Sequence, residues 1–487
     1  MDFSSWVLLI FLVLLITDVI RNWTPHNFPP GPWAMPFVGN IFTGVDFRTI
    51  EKFTVQLSQK YGPVFSLRRG NTRTVFINGY KMVKEALVSQ LDSFEDRPVV
   101  PLFHVVFKGI DGLFQSNGEV WKRQRRFALS TLRNFGLGKN ILEQSICEEA
   151  QHLLEEMRSH GGKPFDPARL FTRAVSNIIC QLVMGKRFEY SDHKFQMLLK
   201  YLSEVLVLEG SFWGLLYEAF PSVMKHLPGP HNKVFSHFNH LKDFMNEEIQ
   251  NHKKDLDHNN PRDYIDAFII EMEKVYTNLG FTETNLAMCS LDLFIAGTET
   301  TATTLLWALV YLINNPDIQG KVQAEIDQVI GQNRQPTMAD RPNLPYTDAV
   351  IHEIQRMGNI VPLNGPRMAA KDTTLGGYFI PKGTSLMPIL TSVLFDKNEW
   401  ETPDKFNPGH FLDAEGKFKK REALLPFSAG RRACLGEGLA RMELLLFFVS
   451  LCQRFHFSTL DRVELSTEGI TGATRTPYPF KIYAQVR

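Results

Sequence analysis

The chain lacks the cysteine patterns that mark a disulfide framework or a structural zinc site. Its five cysteines are Cys147, Cys180, Cys289, Cys434 and Cys452, and no two of them form a C-x-x-C pair. Disulfide frameworks use even numbers of cysteines, and structural zinc sites use closely spaced ligand pairs. The pattern argues against both and favours a reducing environment that faces the cytosol.

An excess of charge of either sign is also missing. The formal net charge is +1 over 487 residues, so the chain has no global attraction to nucleic acid. No P-loop, H-E-x-x-H or G-x-S-x-G motif occurs. The segment from Gly436 to Arg441 begins like G-x-G-x-x-G, but it lacks the third glycine and a preceding strand, which argues against a nicotinamide site there.

No internal repeat, low-complexity tract or linker divides the chain after residue 40. Helical periodicity dominates, and short β-branched or alternating runs predict a small sheet. The predicted helices are 143–159, 235–252, Glu283–Asn314, 316–331, 347–357 and Glu437–Arg454, and the predicted strands are 64–67, 74–77, 374–380 and 385–389. We therefore expect a mainly α fold with small β-sheets, of the α+β class.

The N-terminal segment is apolar enough to cross a membrane. Residues 6–16 are an unbroken apolar run, and residues 3–23 match the ~20 residues that a spanning helix requires. A cleavable signal peptide is the alternative, but Asp2 is the only charged side chain before the run, whereas signal peptides begin with positive charge. Arg21 follows the span, which places the bulk of the chain in the cytosol.

A proline-rich stretch follows the apolar segment. Residues 28–33 read F-P-P-G-P-W, and prolines restrict φ and make a semi-rigid spacer, although a plain linker has a similar composition. We predict an anchor at 1–23, a hinge at 24–40 and the main domain at 41–487. The aromatic-rich segment 211–230 is a second candidate for membrane contact, and ordinary core packing explains it equally well.

Cys434 lies in the most distinctive motif of the chain. The run from Phe427 to Gly436 reads F-S-A-G-R-R-A-C-L-G. The glycines at its fourth and last positions permit a sharp turn and a close approach of the backbone to a flat ligand. The apolar run that follows predicts a helix start, whose positive dipole end favours a thiolate. A buried structural cysteine is the alternative.

This motif resembles the haem-binding signature of the cytochrome P-450 monooxygenases, and all five fixed positions match: Phe427, Gly430, Arg432, Cys434 and Gly436. The resemblance covers residues 29–487. It implies the cytochrome P-450 fold, with haem b between a long central helix and the cysteine loop. Cys434 would be the axial ligand of the haem iron, a ligand that donates electron density and favours cleavage of the O–O bond.

The predicted helix Glu283–Asn314 has an unfavourable middle. Residues 296–304 contain one glycine and five threonines, each of which costs roughly 0.5–1 kcal/mol in a helix interior. A segment that carries this cost is a candidate for function. The run A-G-T-E-T at 296–300 resembles the acid–alcohol motif of the family. Thr300 and Glu299 would relay protons to bound dioxygen, and Gly297 would leave room for it. Ala296 and Gly297 would also contact the cofactor; plain helix packing is the alternative.

Cations for the haem propionates are predicted from the same resemblance. Trp121 and Arg125 share one face of a predicted helix at i,i+4 spacing. Together with Arg97, Arg367 and Arg432 they would contact the propionates. A generic basic helix surface is the alternative.

Glu353 and Arg356 form an E-x-x-R pair on a predicted helix, which is a common arrangement when taken alone. The resemblance implies a buried pair that supports the fold. His410 occupies a position where arginine is common in the family. This departure leaves the third partner of the Glu353–Arg356 pair open.

The hinge and the segments 133–138, 165–167 and 292–300 are similar to the vertebrate microsomal family 2 of these enzymes and to its J subfamily. The similarity implies an enzyme of the endoplasmic reticulum membrane that inserts one oxygen atom of O2 into lipophilic substrates. These would be polyunsaturated fatty acids, with epoxidation or hydroxylation of arachidonic acid, and xenobiotics. Because the chain has no nucleotide module, NADPH would act through NADPH–cytochrome P-450 reductase, with cytochrome b5 as a second candidate donor.

Two other functions stay open on the sequence. A haem-thiolate peroxide isomerase needs no reductase and can dispense with the acid–alcohol pair, and a non-enzymatic haem sensor at the membrane would form no product. Basic residues near the cysteine loop, Lys419, Lys420, Arg421 and Arg431, would suit an acidic electron donor or are solvated surface. The implied pocket ranges are 101–114, 206–220, 291–300, 360–365 and 470–474. They are mostly apolar, and no cation in them stands out to bind a fatty-acid carboxylate.

Overall fold

The computed structural model describes residues 2–41, 50–107, 112–136, 140–274 and 280–487. Predictions that fall on the remaining residues lie outside this part of the chain. They concern the beginning of the main domain at 42–49, the pocket positions 108–111 and the end of the segment 133–138.

Helices dominate the described residues. In chain order they begin with α1 (Phe3–Arg21), α2 (Ile50–Tyr61), α3 (Tyr80–Lys84), α4 (Pro101–Phe107), α5 (Gly118–Asn134), α6 (Asn140–Ser159), α7 (Ala168–Met184), α8 (His193–Glu209) and α9 (Phe212–Ala219). They continue with α10 (Pro221–Met224), α11 (His231–Lys254), α12 (Tyr264–Lys274), α13 (Glu283–Asn314), α14 (Pro316–Val329), α15 (Pro345–Gly358), α16 (Leu390–Leu394) and α17 (Glu437–Arg454). A π-helical turn, Glu85–Ser89, continues α3, and 3₁₀ turns occupy Met338–Asn343, Pro408–Phe411 and Leu460–Arg462.

The strands are short and form small sheets. They are β1 (Val64–Arg69), β2 (Thr72–Ile77), β3 (Arg367–Met368), β4 (Thr373–Leu375), β5 (Tyr378–Ile380), β6 (Ser385–Pro388), β7 (Phe455–Ser458), β8 (Gly469–Thr471), β9 (Arg475–Pro477) and β10 (Tyr483–Val486). One sheet has the order β1-β2-β6-β3, in which β1 and β2 are antiparallel while β2 and β6 are parallel. The pairs β4-β5, β8-β9 and β7-β10 form two-stranded sheets. The predicted α+β class is confirmed.

The helices with the strongest sequence pattern have the predicted bounds. Glu283–Asn314 and Glu437–Arg454 are single helices over the predicted residues. The prediction of one strand over 374–380 is wrong, because Gly376 and Gly377 have φ of 56° and 85° and turn the chain between β4 and β5. Only glycine adopts two successive positive φ angles without strain, and the short apolar run therefore folds as a hairpin.

Helix α13 runs through the main core. Its N-terminus is capped by Thr282, whose hydroxyl accepts the N–H of Asn285 at 3.1 Å. From Leu286 onward it is apolar on nearly all sides, as expected of a helix that is surrounded by others. Helices α7, α15 and α17 pack against it, and this packing fixes the position of its threonine-rich middle in the core.

Helix α1 exposes its apolar side chains along its length, and its composition is that of a membrane-spanning helix. One polar side chain breaks this pattern. Asp18 is 7% exposed, and its carboxylate accepts hydrogen bonds from both terminal nitrogens of Arg68 on β1, at 3.2 and 3.1 Å. Arg68 also donates to the carbonyl oxygen of Met35 at 2.8 Å. The ion pair joins the end of the apolar helix to the first strand of the main sheet.

Candidate active site

The loop that carries Cys434 turns tightly against the rest of the protein. Gly430 has a φ of 75°, and a Cβ at this position would lie 1.9 Å from the carbonyl oxygen of Leu87. The N–H of Cys434 donates to the carbonyl oxygen of Phe427 at 3.0 Å, which closes the loop. A side chain at residue 430 would open this loop, so the glycine sets the position of the thiol.

The thiol of Cys434 is held just before the first turn of α17. Burial raises its pKa, whereas hydrogen bonds from the backbone of Gly436 and Glu437 to the sulfur lower it, as does the charge of Arg125. Cys434 as a whole residue is nevertheless exposed. Backbone donors at a helix start are suited to stabilise a thiolate once a metal ion replaces its proton.

Four arginines are gathered beside this loop, as the resemblance predicts. Arg97, Arg367 and Arg432 are buried and Arg125 is partly buried. Within the residues that the structure describes, none of the four has a carboxylate oxygen within ion-pair distance. Burial and the charge of Arg125 together lower the pKa of Arg367 to about 10. Burial and the charges of Arg367 and Arg125 lower the pKa of Arg432 to about 9, although Asp96 and Glu95 raise it. A cluster of this kind requires anions to be stable.

Buried donors without partners point in the same direction. Nε of Arg97, Nη1 of Arg367 and Nη1 of Arg432 have no hydrogen-bond acceptor. Buried donors are nearly always satisfied in proteins. Three unsatisfied guanidinium groups therefore fit a ligand that carries carboxylates, and the two propionates of haem supply that chemistry.

The cluster is oriented by aromatic and backbone contacts. Arg432 stacks on the ring of Trp121 with 3.6 Å between the guanidinium carbon and the ring centroid, and its Nε donates to the carbonyl oxygen of Glu95 at 2.8 Å. Arg125 donates to the carbonyl oxygen of Ala433 at 2.6 Å, next to the thiol. The predicted set of Trp121 and four arginines is thus brought together around Cys434.

Asn117 belongs to the same cluster and was missed in the sequence. Its side-chain oxygen accepts the N–H of Arg97 at 2.7 Å and Nη2 of Arg432 at 2.9 Å, and its Nδ2 donates to the carbonyl oxygen of Arg97 at 2.9 Å. The signal that could have found it is an asparagine just before the helix of Trp121, a preferred N-cap residue. Here its side chain fixes two arginines instead of capping α5.

The middle of α13 faces the cysteine loop. Thr300 and Phe427 line one cavity, together with residues of α15 and α17. The hydroxyl of Thr300 donates to the carbonyl oxygen of Ala296 at 2.8 Å, and that of Thr304 donates to the carbonyl oxygen of Thr300 at 2.8 Å. Such bonds compete with the helix ladder, and they place the Thr300 hydroxyl beside this cavity.

Glu299 and Gly297 have different neighbours from Thr300: Glu299 interacts with Thr303, and Gly297 packs against Ile179 of α7. Burial raises the pKa of Glu299, while a hydrogen bond with the Thr303 hydroxyl lowers it. A Cβ on Gly297 would lie 2.9 Å from Cγ1 of Ile179, so the missing side chain serves the packing of α7 on α13. That Gly297 also makes room for dioxygen stays a prediction.

Glu353, Arg356 and His410 form a separate, buried cluster. Both side chains of the Glu353–Arg356 pair are 0% exposed, and two hydrogen bonds of 2.8 Å join them. Nδ1 of His410 lies 3.3 Å from both carboxylate oxygens of Glu353, and its Nε2 lies 2.9 Å from the hydroxyl of Thr402. His410 is therefore the third partner that the sequence left open.

The unsatisfied buried donors of the arginine cluster suit the two propionates of haem, and the thiol at the start of α17 suits its iron. The model of the Cytochrome P450 family matches residues 29–484. The chain belongs to this family, and it is accordingly a haem-dependent monooxygenase that uses dioxygen.

The relatives of the chain narrow this placement within the family. It is 51% identical to human (Homo sapiens) cytochrome P450 2J2, over 97% of this chain and 94% of that protein. It is 48% identical to mouse (Mus musculus) cytochrome P450 2J5, over 99% and 96% of the two chains. It is 45% identical to chicken (Gallus gallus) cytochrome P450 2H2, over 99% of both. The predicted similarity to family 2 and its J subfamily is confirmed.

Proposed function

We propose that this monooxygenase oxidises polyunsaturated fatty acids, with epoxidation or hydroxylation of arachidonic acid, and also accepts xenobiotics. Electrons reach it from NADPH–cytochrome P-450 reductase, and cytochrome b5 is a second donor. The observation that carries the proposal is the cluster of unpaired buried arginines around an accessible cysteine, because it fits haem with its thiolate ligand. The apolar ranges around this site favour a lipophilic substrate.

Each site residue has a proposed task. Cys434 would hold the haem iron through its sulfur, and Phe427, Gly430 and Gly436 shape its loop. The four arginines Arg97, Arg125, Arg367 and Arg432, with Trp121 stacked on Arg432, would hold the propionates. When bound, haem supplies the iron at which dioxygen is activated and from which one oxygen atom passes to the substrate.

Proton supply to the oxygen site is the proposed task of Thr300 and Glu299. Burial keeps the pKa of Glu299 above its ordinary value, so the carboxyl can hold a proton closer to neutral pH. Thr300 is the next residue along α13 and borders the cavity near the cysteine loop. Its hydroxyl can release the bond to Ala296 and hand on a proton. Ala296 lies one turn before Thr300, on the same side of α13.

Two of the four basic residues predicted to bind the electron donor, Arg421 and Arg431, are already paired with carboxylates of this chain. Arg431 is paired with Asp92 and Glu95, and Arg421 is paired with Glu401. Lys419 and Lys420 are exposed, as are Arg123 and Arg126 on α5. We propose that these four residues bind the acidic surface of the reductase, because exposed charges steer association.

The location is proposed from α1 and the hinge. Helix α1 spans the endoplasmic reticulum membrane once, within the anchor 1–23; the hinge 24–40 follows, and the catalytic domain 41–487 lies in the cytosol. Phe212, Trp213, Val223 and Leu227, on and after α9, are exposed apolar side chains. They suit a second, shallow contact with the bilayer.

The test is product analysis with the full-length protein, reductase, NADPH and a panel of unsaturated fatty acids and drugs. We expect epoxides and hydroxy acids that form only with NADPH. Turnover of a fatty-acid hydroperoxide without NADPH, and no NADPH-dependent product, would instead support the peroxide isomerase. Haem binding without any product would support the membrane sensor. The carbon monoxide difference spectrum of the reduced protein reports thiolate ligation independently of activity.

A further inference from the structure

Three chain segments meet beneath the bend between α8 and α9. A Cβ on Gly70, in the turn between β1 and β2, would lie 2.5 Å from the carbonyl oxygen of Ala219 at the end of α9. A Cβ on Gly210, at the end of α8, would lie 2.4 Å from Cα of Gly472 in the turn between β8 and β9. The bend therefore covers the tips of two hairpins.

The third segment is the start of α4. The carboxylate of Glu218 on α9 accepts the N–H of Leu102 at 3.0 Å. Apart from the turn at Gly70, the segments that meet here belong to the predicted pocket ranges 101–114, 206–220 and 470–474. The junction therefore joins three of the predicted pocket ranges, and Phe212 and Trp213 of α9 are exposed beside it.

Arg69 ends β1 at this junction. Side chains alternate along a strand, so Arg69 lies on the same face as Phe65 and Leu67, which pack with Leu363 of the predicted pocket range 360–365. Arg69 is partly buried. Over the described ranges of the chain, its guanidinium makes no hydrogen bond and has no carboxylate within ion-pair distance.

The acids around Arg69 do not neutralise it fully. Burial raises the pKa of Glu218 to about 7, against the lowering effects of the Leu102 N–H and of Arg69. Burial and the charge of Glu218 raise the pKa of Glu209 to about 8. Near neutral pH, Glu209 is therefore mostly protonated and Glu218 is ionised in only part of the molecules. A partly buried guanidinium in this setting has capacity for one more anion.

We propose that Arg69 binds the carboxylate of an anionic lipophilic substrate at the wall between β1, α4 and α9, and that Glu218 competes for the same guanidinium. The inference rests on the proposed function and names the group that recognises the acidic end of a fatty acid. The apolar chain of such a ligand then lies along the cavity toward α13. Protonated Glu218 can donate a hydrogen bond to the same carboxylate.

The experiment compares an unsaturated fatty acid with its methyl ester, using the full-length protein, reductase and NADPH. We measure KM from product formation and the dissociation constant from the substrate-induced spectral shift. Arg69→Gln is expected to raise both constants about tenfold for the acid, the size of a lost charge-assisted hydrogen bond, and to change them less than twofold for the ester. Arg73→Gln is the matched control, because Arg73 lies on β2 and donates to the carbonyl oxygen of Asn22 instead.

Two further variants guard against a folding defect. Arg69→Lys keeps the charge and should retain most of the affinity for the acid, whereas Glu218→Gln removes the competitor and should lower its KM. Equal effects of Arg69→Gln on acid and ester would overturn the inference. A second pair of results would also overturn it: Glu218→Gln no longer oxidises amine substrates, and Arg69→Gln binds acids as the wild type does. Together these results would indicate that the site binds cations. If neither acid nor ester is oxidised by the wild type, the proposed function fails; oxidation of both with no effect of Arg69→Gln refutes this inference alone.

Discussion

Four positive side chains that share one small volume are a cost to the folded chain unless an anion is present. Arg97, Arg367 and Arg432 each bury a nitrogen without an acceptor, and an unsatisfied buried donor costs roughly 1–3 kcal/mol. The free energy of haem binding and the free energy of folding are therefore linked through these residues. A ligand that binds only the folded state stabilises it in proportion to its affinity and concentration.

Replacement of one arginine should lower haem retention selectively. In Arg432→Leu we expect the ratio of haem to protein after gel filtration to fall by half or more, because a charged hydrogen bond worth roughly 1.5–3 kcal/mol is lost. Arg431→Leu is the control. Arg431 is the residue before Arg432, and its own side chain is exposed and paired with Asp92 and Glu95. Equal retention in both variants would contradict the proposed role of Arg432.

Loss of the Thr300 hydroxyl should uncouple NADPH consumption from product formation. In Thr300→Ala we expect product formation to fall tenfold or more, since positioned proton transfer contributes about 10²–10⁴-fold. NADPH consumption should continue, with hydrogen peroxide released in place of product. Thr300→Ser keeps the hydroxyl and should restore coupling. A tightly coupled Thr300→Ala enzyme would refute the relay, and the measurement is the ratio of product to NADPH consumed.

At the scale of single residues, the sequence predicts groups in motifs better than groups that depend on distant partners. The spacing of Phe427, Gly430 and Cys434 predicts a loop because the hydrogen bond that closes it is local. Asn117 acquires its role from two arginines that are far away in sequence. Arg69 was overlooked because its lack of a partner is a property of the folded chain.

At the scale of elements, the joint between α13 and α17 contains an unusual acid. Glu443 on α17 is 1% exposed, and one of its oxygens accepts the Thr301 hydroxyl of α13 at 2.9 Å while the other has no partner. Burial raises the pKa of this carboxyl to about 8, although the Thr301 hydroxyl lowers it. The two helices that frame the site are therefore joined by a carboxyl that is protonated at neutral pH.

This joint should weaken as the pH rises. The folded chain binds the Glu443 proton more tightly than the unfolded chain, so its contribution to stability is complete below about pH 4.5 and declines up to about pH 8. Between pH 5 and pH 8 we expect a loss of about 3 kcal/mol in the wild type that is absent in Glu443→Gln.

Urea denaturation of both proteins at several pH values measures this difference. Glu468→Gln on the surface is the control, since its side chain is 68% exposed and paired with Lys52. Parallel pH profiles of the wild type and Glu443→Gln would show that Glu443 does not titrate in this range.

Long helices were predictable and short strands were less so, for a physical reason. Helices α13 and α17 extend over many turns, so their bounds are set by caps and by a long apolar pattern. The run 374–380 carries a strand composition on both sides of two glycines, and only the positive φ angles at these glycines show that it is a hairpin. The predicted helix 235–252 begins later than α11, His231–Lys254, because the first turn follows Pro230 without an apolar repeat.

At the scale of the whole molecule, the link between Asp18 and Arg68 determines how the anchor and the main domain are joined. Both side chains are nearly inaccessible, at 6% and 5%. Removal of one partner of a buried pair leaves a buried charge, at a cost of about 3–5 kcal/mol. We therefore expect α1 to separate from β1 when this pair is broken.

The variant Asp18→Asn tests this link in lipid nanodiscs. We expect faster hydrogen exchange of β1 and faster proteolysis within 24–40 than in the wild type, because the end of α1 is released. The double variant Asp18→Asn with Arg68→Met removes both charges and should recover part of the protection. Unchanged exchange in Asp18→Asn would show that the hinge alone holds the anchor.

The ion pair also links the proposed membrane helix mechanically to the main domain. A helix of 19 residues is about 28 Å long, close to the ~27 Å hydrocarbon thickness of the endoplasmic reticulum membrane. In a thicker bilayer such a helix stands upright, and in a thinner one it tilts. Asp18, near the end of α1, is paired with Arg68, and Arg69 is the next residue of β1. In the proposed membrane location, we therefore expect a change in tilt to move the proposed carboxylate site relative to the lipid surface, and lipid chain length to affect how fatty acids enter.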